Sequence, residues 1–387
     1  MSRIDALIAE LCPDGVEFKS IGEIAAVGTG SSDRKDAKAD GAFPFYVRSQ
    51  DVFRIDKYEF DEEAILIPGE GGIGEIFHYV SGKYALHQRA YRICFNLAEL
   101  NTKFAYYYFA VHFKRFILLK AVSATVTSIR KPMITDFYIP IPPLEVQREI
   151  VKVLDTFTEL EAELEAELEA RRRQYKYYRD ALLAFSDQDI RWAAMAELGE
   201  FIRGRRFTKA DYVEDGVPCV HYGDIYTQYG TATEKTVSHV RADMASSLRF
   251  AQPGDLIIAG VGETVEDVGK AVTWLGRDEV AIHDDCFAFR HSLNPRFVSY
   301  YFQTTAFHAE KNKFVARAKV KRLSAEGLAK LTIPVPSPEE QARIVAILDK
   351  FDALVNDISV GLPAEIAARR RQYAYYRDRL LTFKEAA

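Results

Sequence analysis

Across residues 144–185 no glycine or proline interrupts the chain, and apolar residues recur at Phe157, Leu160, Leu164, Leu168, Tyr175, Tyr178, Leu182 and Phe185. Steps of 3, 4, 4, 7, 3, 4 and 3 are nearly those of a coiled-coil seam, with one extra turn acting as a stutter. The same stripe returns at Phe351, Leu354, Ile358, Leu362, Ile366, Tyr373, Tyr376, Leu380 and Phe383. There Gly361-Leu362-Pro363 is expected to break or kink the helix, because proline removes a backbone donor and crowds the preceding turn. Two long helices, each with one apolar stripe, are expected to pack antiparallel. Ahead of each helix lie short apolar runs closed by glycine, Ala64-Ile65-Leu66-Ile67 and Leu256-Ile257-Ile258-Ala259, which read as strands. Aromatic-rich residues 104–119 and 297–311 read as helices, and Ile139-Pro140-Ile141-Pro142-Pro143 and Ile333-Pro334-Val335-Pro336 as extended exits.

These elements come in pairs because the chain is a repeat. Arg171-Arg172-Arg173-Gln174-Tyr175-Lys176-Tyr177-Tyr178-Arg179-Asp180 returns as Arg369-Arg370-Arg371-Gln372-Tyr373-Ala374-Tyr375-Tyr376-Arg377-Asp378. Residues 139–160 match residues 333–354, with about four extra residues in the second copy between the two matched stretches. The intervening parts match more loosely: Gly30 falls opposite Gly204, Ala85-Leu86-His87 opposite Ala281-Ile282-His283, and Tyr107-Tyr108-Phe109 opposite Tyr300-Tyr301-Phe302. Even Asp5-Ala6-Leu7-Ile8-Ala9 resembles Asp180-Ala181-Leu182-Leu183-Ala184, so the repeating unit begins near the end of its own helix, as in a ring that could be opened elsewhere.

Composition adds bounds rather than identity. With 387 residues, 48% hydrophobic and 28% charged, the chain fits two globular domains plus connections. It contains no apolar run of membrane-spanning length, and its first residues lack the apolar core of a signal peptide. A cytoplasmic location is therefore expected. Cys12, Cys94, Cys219 and Cys286 form no CxxC pair, which argues against a disulfide framework or zinc site. The net charge of -5 argues weakly against nucleic acid, yet six glutamates between Glu159 and Glu169 account for all of it. Local cationic surface, not the average, governs affinity for a phosphate backbone.

Several catalytic motifs begin and fail to complete. Gly69-Glu70-Gly71-Gly72-Ile73-Gly74 fits GxGxxG, but Ser81-Gly82 interrupts the helix it needs. Gly269-Lys270 lacks the upstream glycine and the Ser or Thr of a phosphate loop. Asn294-Pro295-Arg296-Phe297 is read as a helix cap, not as an adenine methyltransferase motif. His283-Asp284-Asp285 has Gln88-Arg89 in the corresponding place of the first copy, so no metal site is expected.

The motifs Ile-Pro-x-Pro-x-x-Glu-x-Gln (139–147 and 333–341) and Arg-Gln-Tyr-x-Tyr-Tyr-Arg-Asp (173–180 and 371–378), with Pro13-Asp14-Gly15-Val16-Glu17-Phe18, closely resemble the specificity subunit of type I restriction–modification systems. The resemblance covers essentially the whole chain. It implies an α+β protein with two similar α/β target-recognition domains, separated by two long antiparallel coiled-coil helices and related by a pseudo-twofold axis. The expected domains are 1–15 (N-terminal helix docking on the spacer), 16–142 (first recognition domain), 143–188 (central spacer helix), 189–336 (second recognition domain) and 337–387 (C-terminal spacer helix). The resemblance further implies a non-catalytic, DNA-binding subunit that reads a bipartite sequence and serves host defence. Its implied partners are double-stranded DNA, two methyltransferase (M) subunits and motor-nuclease (R) subunits, with no membrane. No cofactor is expected in this chain: S-adenosylmethionine would sit in the M subunits, ATP and magnesium in the R subunits. The Leu-Glu-Ala-Glu tandem (160–170) looks like the short repeats that one branch of the family carries.

Reading bases in the major groove needs paired donors and acceptors, and phosphates need Lys, Arg, Ser or Thr. In the first copy such residues are Thr29, Ser31, Ser32, Arg34 and Lys35, then Arg48, Ser49 and Gln50, then His87, Gln88 and Arg89, and finally Thr127, Ser128 and Arg130. In the second they are Arg203, Arg205 and Arg206, then His221, Tyr222 and Asp224, then His283 and Asp285, and Lys319, Lys321 and Arg322. Arg205, Arg206, Lys319, Lys321 and Arg322 suit phosphates; Gln50, Gln88, Arg89, Asp224 and Asp285 suit bases. The helix ends offer Arg173, Tyr175, Tyr178, Arg179, Arg371, Tyr373, Tyr376 and Arg377 as partner-binding candidates, with core packing the competing expectation. Two other functions stay open from sequence: an assembly scaffold that reads no DNA, and a DNA modification enzyme with cryptic catalysis.

Overall fold

The computed structural model describes residues 3–72, 74–120, 128–186, 190–316 and 319–386. The chain forms two compact units: one holds the residues up to Glu163 and those from Ala367 onward, the other spans Leu164–Ile366. Each combines a globular head with segments of long helix. The architecture is α+β, and a 39-residue helix, Leu144–Leu182, joins the two heads.

In the first unit the head is built on a six-stranded sheet in the order 25–29, 90–95, 60–68, 78–86, 43–46, 52–55. Its central strand Phe60–Pro68 is buried on both faces from Ala64 onward, as its unbroken apolar run demands. The helix Thr102–Lys120 starts where the Asn101 side chain accepts the Lys103 and Phe104 N–H groups, both at 3.0 Å. It buries Phe104, Phe109, Phe113 and Ile117 in one core with Ile65, Ile67, Val146, Ile150 and Leu154. Burying each such side chain contributes about 1.5–3 kcal/mol. Entry and exit strands Phe18–Ser20 and Tyr138–Pro140 pair antiparallel and close the head where the long helix begins.

The chain ends meet in this unit. Asp5, in the helix Arg3–Leu11, pairs with Arg379 at 2.7 Å, and the Val16 N–H donates to the Lys384 carbonyl at 2.9 Å. Phe157 lies 6.1 Å from Tyr373 and 5.7 Å from Tyr376, and Glu161 pairs with Arg370 at 2.6 Å. The rising number on one helix meets the falling number on the other, so these segments run antiparallel.

The second unit repeats the plan with a different sheet. Two five-stranded sheets replace one of six, in the orders 199–203, 286–291, 256–259, 271–274, 232–233 and 212–213, 238–240, 217–220, 280–282, 250–251. Thr332–Val335 and Arg191–Ala194 form its closing pair. Asn294 caps the helix Pro295–Phe302 by accepting from Arg296 and Phe297, as expected for a cap followed by proline. Tyr178 stacks on Phe351 and Tyr175 donates to Asp352 at 3.2 Å, which fixes the long helix against Pro338–Asn356.

One expectation for the seam is corrected. The helices Pro338–Asn356 and Leu362–Leu380 are separate, and the break carries Ile358 out of the stripe to 84% exposure. The break precedes Gly361, with the Asp357 carboxylate accepting from the Ser359 N–H and hydroxyl to shape the turn.

Candidate nucleic-acid interface

In the first head, strand register brings the candidate loops together. Strands Phe43–Tyr46 and His78–Leu86 run parallel, with Phe45 opposite Ala85 and Tyr46 opposite Leu86, so Arg48-Ser49-Gln50 and His87-Gln88-Arg89 leave the sheet at the same edge. Gly30 presses a third loop onto them: a Cβ there would lie 1.8 Å from the Leu86 carbonyl oxygen, which only glycine avoids. A fourth segment enters through backbone pairing of Ser128 with Glu70. The result is a cleft of about 230 Å3 lined by Arg34, Val47, Arg48, Ser49, Glu70 and His87. Glu70 accepts from Arg48 at 3.0 Å and Arg89 at 3.1 Å, while Gln88 donates to Asp33 at 3.0 Å. Arg34 lies over the Phe53 ring at 5.0 Å. Thr29, Lys35, Gln50 and Arg130 are exposed nearby in sequence.

The second head repeats this framework. Cys219 pairs parallel with Ala281 and Val220 with Ile282, which places His221 beside His283 with ring centroids 4.5 Å apart. A Cβ at Gly204 would lie 2.2 Å from the carbonyl oxygens of both Ile282 and His283. Strand Val261–Gly262 pairs with Lys321–Arg322, the counterpart of the contact between Glu70 and Ser128. A cleft of about 270 Å3 is lined by Arg203, Val261, Asp284, Asp285, Phe287 and Arg322. Arg203 donates to the Asp284 carbonyl at 2.8 Å, and Arg322 reaches the Asp285 carboxylate at 3.4 Å. Arg205, Arg206 and Lys319 are exposed.

Not every candidate faces outward. His87 and His283 are buried and act as staples: each Nδ1 accepts a backbone N–H two residues on, from Arg89 at 2.9 Å and Asp285 at 3.2 Å. Burial first, and the Arg48 guanidinium next, hold the His87 imidazole below its ordinary pKa. Burial and neighbouring His283 do the same to His221. Ser32 is wholly buried on Glu59, which also binds Ser31. Asp224 accepts the His221 N–H at 3.1 Å and caps its own turn, with Tyr222 packed on the His221 ring at 4.1 Å. Ser32, His87 and His283 are buried and shape the loops, while half-buried Asp224 braces its own turn. Thr127 lies outside the described residues.

Glu70 escaped the sequence reading because it sits in the glycine run that imitates a nucleotide motif. A strand, His78–Leu86, follows that run in place of the required helix, and strand Ala271–Trp274 likewise follows Gly269-Lys270. The side chains of His283, Asp284 and Asp285 come within 4.8 Å of one another. However, His283 spends Nδ1 on the Asp285 N–H and Nε2 on the Phe207 carbonyl at 3.2 Å, so its imidazole offers no lone pair to a cation.

The helix ends divide the same way. Tyr175 and Arg179 are buried; Arg179 holds Asp180 at 2.8 Å, and Asp180 in turn accepts from Thr305 at 2.6 Å. Tyr373 and Tyr376 pack on Phe157, Tyr178 packs on Phe351, and Arg377 pairs with Asp378 at 2.7 Å. Tyr175 and Arg179 are thus buried within this chain, Tyr373, Tyr376 and Arg377 are half-buried, and Tyr178 keeps 41% of its surface exposed. Arg173 and Arg371 are exposed, and so are two tyrosines the sequence reading passed over: Tyr177 at 69% and Tyr375 at 62%.

A sequence model of the type I restriction modification DNA specificity domain matches residues 13–170 and 192–368. The Escherichia coli type I restriction enzyme EcoR124I/EcoR124II specificity subunit is 32% identical over 264 residues, a match that spans 63% of this chain and 63% of that protein. A putative type I restriction enzyme specificity subunit of Haemophilus influenzae is 27% identical over 400 residues, covering 95% of this chain and 96% of its own. In fold, the chain is similar to a type I restriction-modification S subunit from M. genitalium (TM-score 0.56, 16% identity, 95% and 96% of the two chains). It is also similar to a chain from a structure concerned with assembly and conformational transition of the type I R-M system (TM-score 0.61, 16% identity, 96% and 98%).

Proposed function

This chain belongs to the type I restriction–modification DNA specificity family, and we propose that it reads a bipartite DNA sequence, one half-site per head, for a complex whose chemistry lies in other subunits. The observation that carries the reading is twinned loop geometry with unlike contents. Gly30 and Gly204 press equivalent loops onto equivalent strands, and His87 and His283 staple equivalent turns. The side chains around the two clefts nevertheless differ: Arg48, Glu70 and Arg89 in one, Arg203, Asp285 and Arg322 in the other. A protein that reads two different half-sites needs a constant frame and variable edges. Arginines and acids at those edges supply the donors and acceptors that base edges require, and exposed Arg205, Arg206 and Lys319 supply cations for phosphates.

In this reading two M subunits, carrying S-adenosylmethionine, methylate adenine at the bound site, and R subunits, using ATP and magnesium, join for cleavage. Exposed Tyr177, Tyr178 and Tyr375, with Arg173 and Arg371, are helix residues available to such partners. Among the described residues no helix is long and apolar enough to cross a membrane.

The deciding experiment exchanges residues 189–336 for those of a relative with another target and maps methylated adenines made by the assembled complex. One half-site should change while the other stays. A map in which both halves change, or neither does, rejects the division of labour. Methyl transfer by the purified chain alone would place it among enzymes instead.

A further inference from the structure

Glu70 does more than fill a loop. Its Oε2 takes one N–H from Arg48 and one from Arg89, and these arginines come from different loops of the first cleft. All three side chains are partly exposed, so the trio faces solvent as a preformed cluster. The backbone around Glu70 is held from below, with the Ile129 N–H donating to the Gly69 carbonyl at 2.7 Å and the Gly69 N–H to the Arg89 carbonyl at 2.8 Å.

Glu70 offsets one of the two arginine charges and occupies a donor on each, so the trio is a weaker phosphate site than two free arginines would be. The edge of a G·C pair in the major groove is different: guanine offers two acceptors, O6 and N7, and cytosine offers the N4 donor beside them. An arginine next to a carboxylate presents the complementary set, two parallel donors and an acceptor. Holding the guanidinium groups beforehand removes rotamer freedom that binding would otherwise have to remove. The second cleft has a related arrangement, in which Arg322 reaches the Asp285 carboxylate.

We infer that Glu70, with Arg48 and Arg89, reads a G·C pair in the half-site of the first head, the guanidinium groups facing guanine and the carboxylate facing cytosine N4. This rests on the proposal that the first head is a DNA reader, and it names the position and chemistry of that reading.

The test uses the full complex with M subunits and S-adenosylmethionine on a pool of duplexes with randomised half-sites, read by sequencing of methylated adenines. The head exchange described above assigns each half-site to its head. In the Glu70→Gln complex, discrimination for one G·C pair in the first head's half-site should fall about tenfold or more, with the other half-site and the gap unchanged. Arg48→Lys and Arg89→Lys keep the charge and lose the planar fork, so at least one should relax the same position even if Glu70→Gln does not assemble. An unaltered motif in every variant that assembles overturns the inference, whether methylation is normal or uniformly slower. A wild-type complex that methylates without a bipartite motif overturns this inference and the proposed function together.

Discussion

The side-chain carbonyl of Gln341 accepts the backbone N–H of Asn294 at 2.8 Å, and in the first unit Gln147 accepts that of Asn101 at 2.7 Å. Each amide group also donates backward, Gln341 to the Pro336 carbonyl at 2.9 Å and Gln147 to the Pro142 carbonyl at 2.6 Å and the Glu99 carbonyl at 2.8 Å. One buried glutamine thus ties the proline exit, the start of the long helix and the cap of the head's helix into a single joint. This is the physical content of the Ile-Pro-x-Pro-x-x-Glu-x-Gln motif. Replacing either glutamine by leucine strands buried donors and acceptors, which cost about 1–3 kcal/mol for each unsatisfied group. Gln147→Leu should lower the thermal midpoint by several degrees and by more than Gln341→Leu, since it loses three bonds against two. Calorimetry showing no change for either would refute the joint.

The tyrosine motif separates packing from presentation. Tyr175 and Tyr373 point into their units, while Tyr177 and Tyr375 stand out, each edge-on to the next tyrosine at 5.4 Å. Removing an exposed aromatic surface costs little in a free chain and much at an interface. Tyr177→Ala and Tyr375→Ala should therefore leave the melting midpoint within a degree or two and weaken association with M subunits about tenfold or more. Tyr175→Ala should do the reverse, lowering stability by about 3 kcal/mol or more. Sedimentation of the mixed subunits, with melting of the chain alone, separates the two. Normal assembly by the double exposed-tyrosine variant would remove these residues from the interface.

Local periodicity and duplication make much of this legible in the amino-acid sequence. The helix Leu144–Leu182, the presence of a break in the second helical stripe, the Asn294 cap and the paired exits all rest on contacts between residues near in sequence or on an explicit repeat. What escaped depends on contacts across the sheet. Nothing local distinguishes His87 as a staple from His87 as a reader; its Nδ1 bond and its burial under neighbouring loops decide. Glu70 was hidden because its arginine partners lie about twenty residues away on either side. Ile358 kept the stripe's spacing but lost its place because the turn begun at Asp357 precedes Gly361. The replacement of one six-stranded sheet by two of five had no signal in the loosely matched heads.

Acid should unfold the second unit early. Burial pushes the pKa of His291 and His308 down to about 4, with Lys311 adding to the effect at His308. Their unfolded values lie near 6.5, so between those limits the unfolded chain binds protons that the folded chain refuses. The stability involved is fully present above about pH 6.5 and is lost as the pH falls towards 4. Urea unfolding midpoints should decline across that window, and His308→Gln should flatten the decline. If the variant's slope matches the parent's, His308 is not one of the groups responsible.

The chain passes from one unit to the other at Glu163-Leu164, inside the Leu-Glu-Ala-Glu tandem. Leu160 and Leu164 are half-buried and Leu168 is buried, while the glutamates between them are mostly exposed and Glu167 pairs with Arg171 at 2.6 Å. Because leucine recurs every fourth residue, removing residues 164–167 restores the same sequence on both sides of the cut and keeps the helix in register with its apolar side. The deletion shortens the helix by about 6 Å and changes its rotation by about 40°, whereas a base pair rises about 3.4 Å. If the helix sets the distance between reading heads, the preferred gap between half-sites should therefore change by one or two base pairs, with both half-sites intact. Methylated-adenine maps of the deletion complex and its parent report this directly. An identical gap in the two maps would mean that the tandem does not measure DNA.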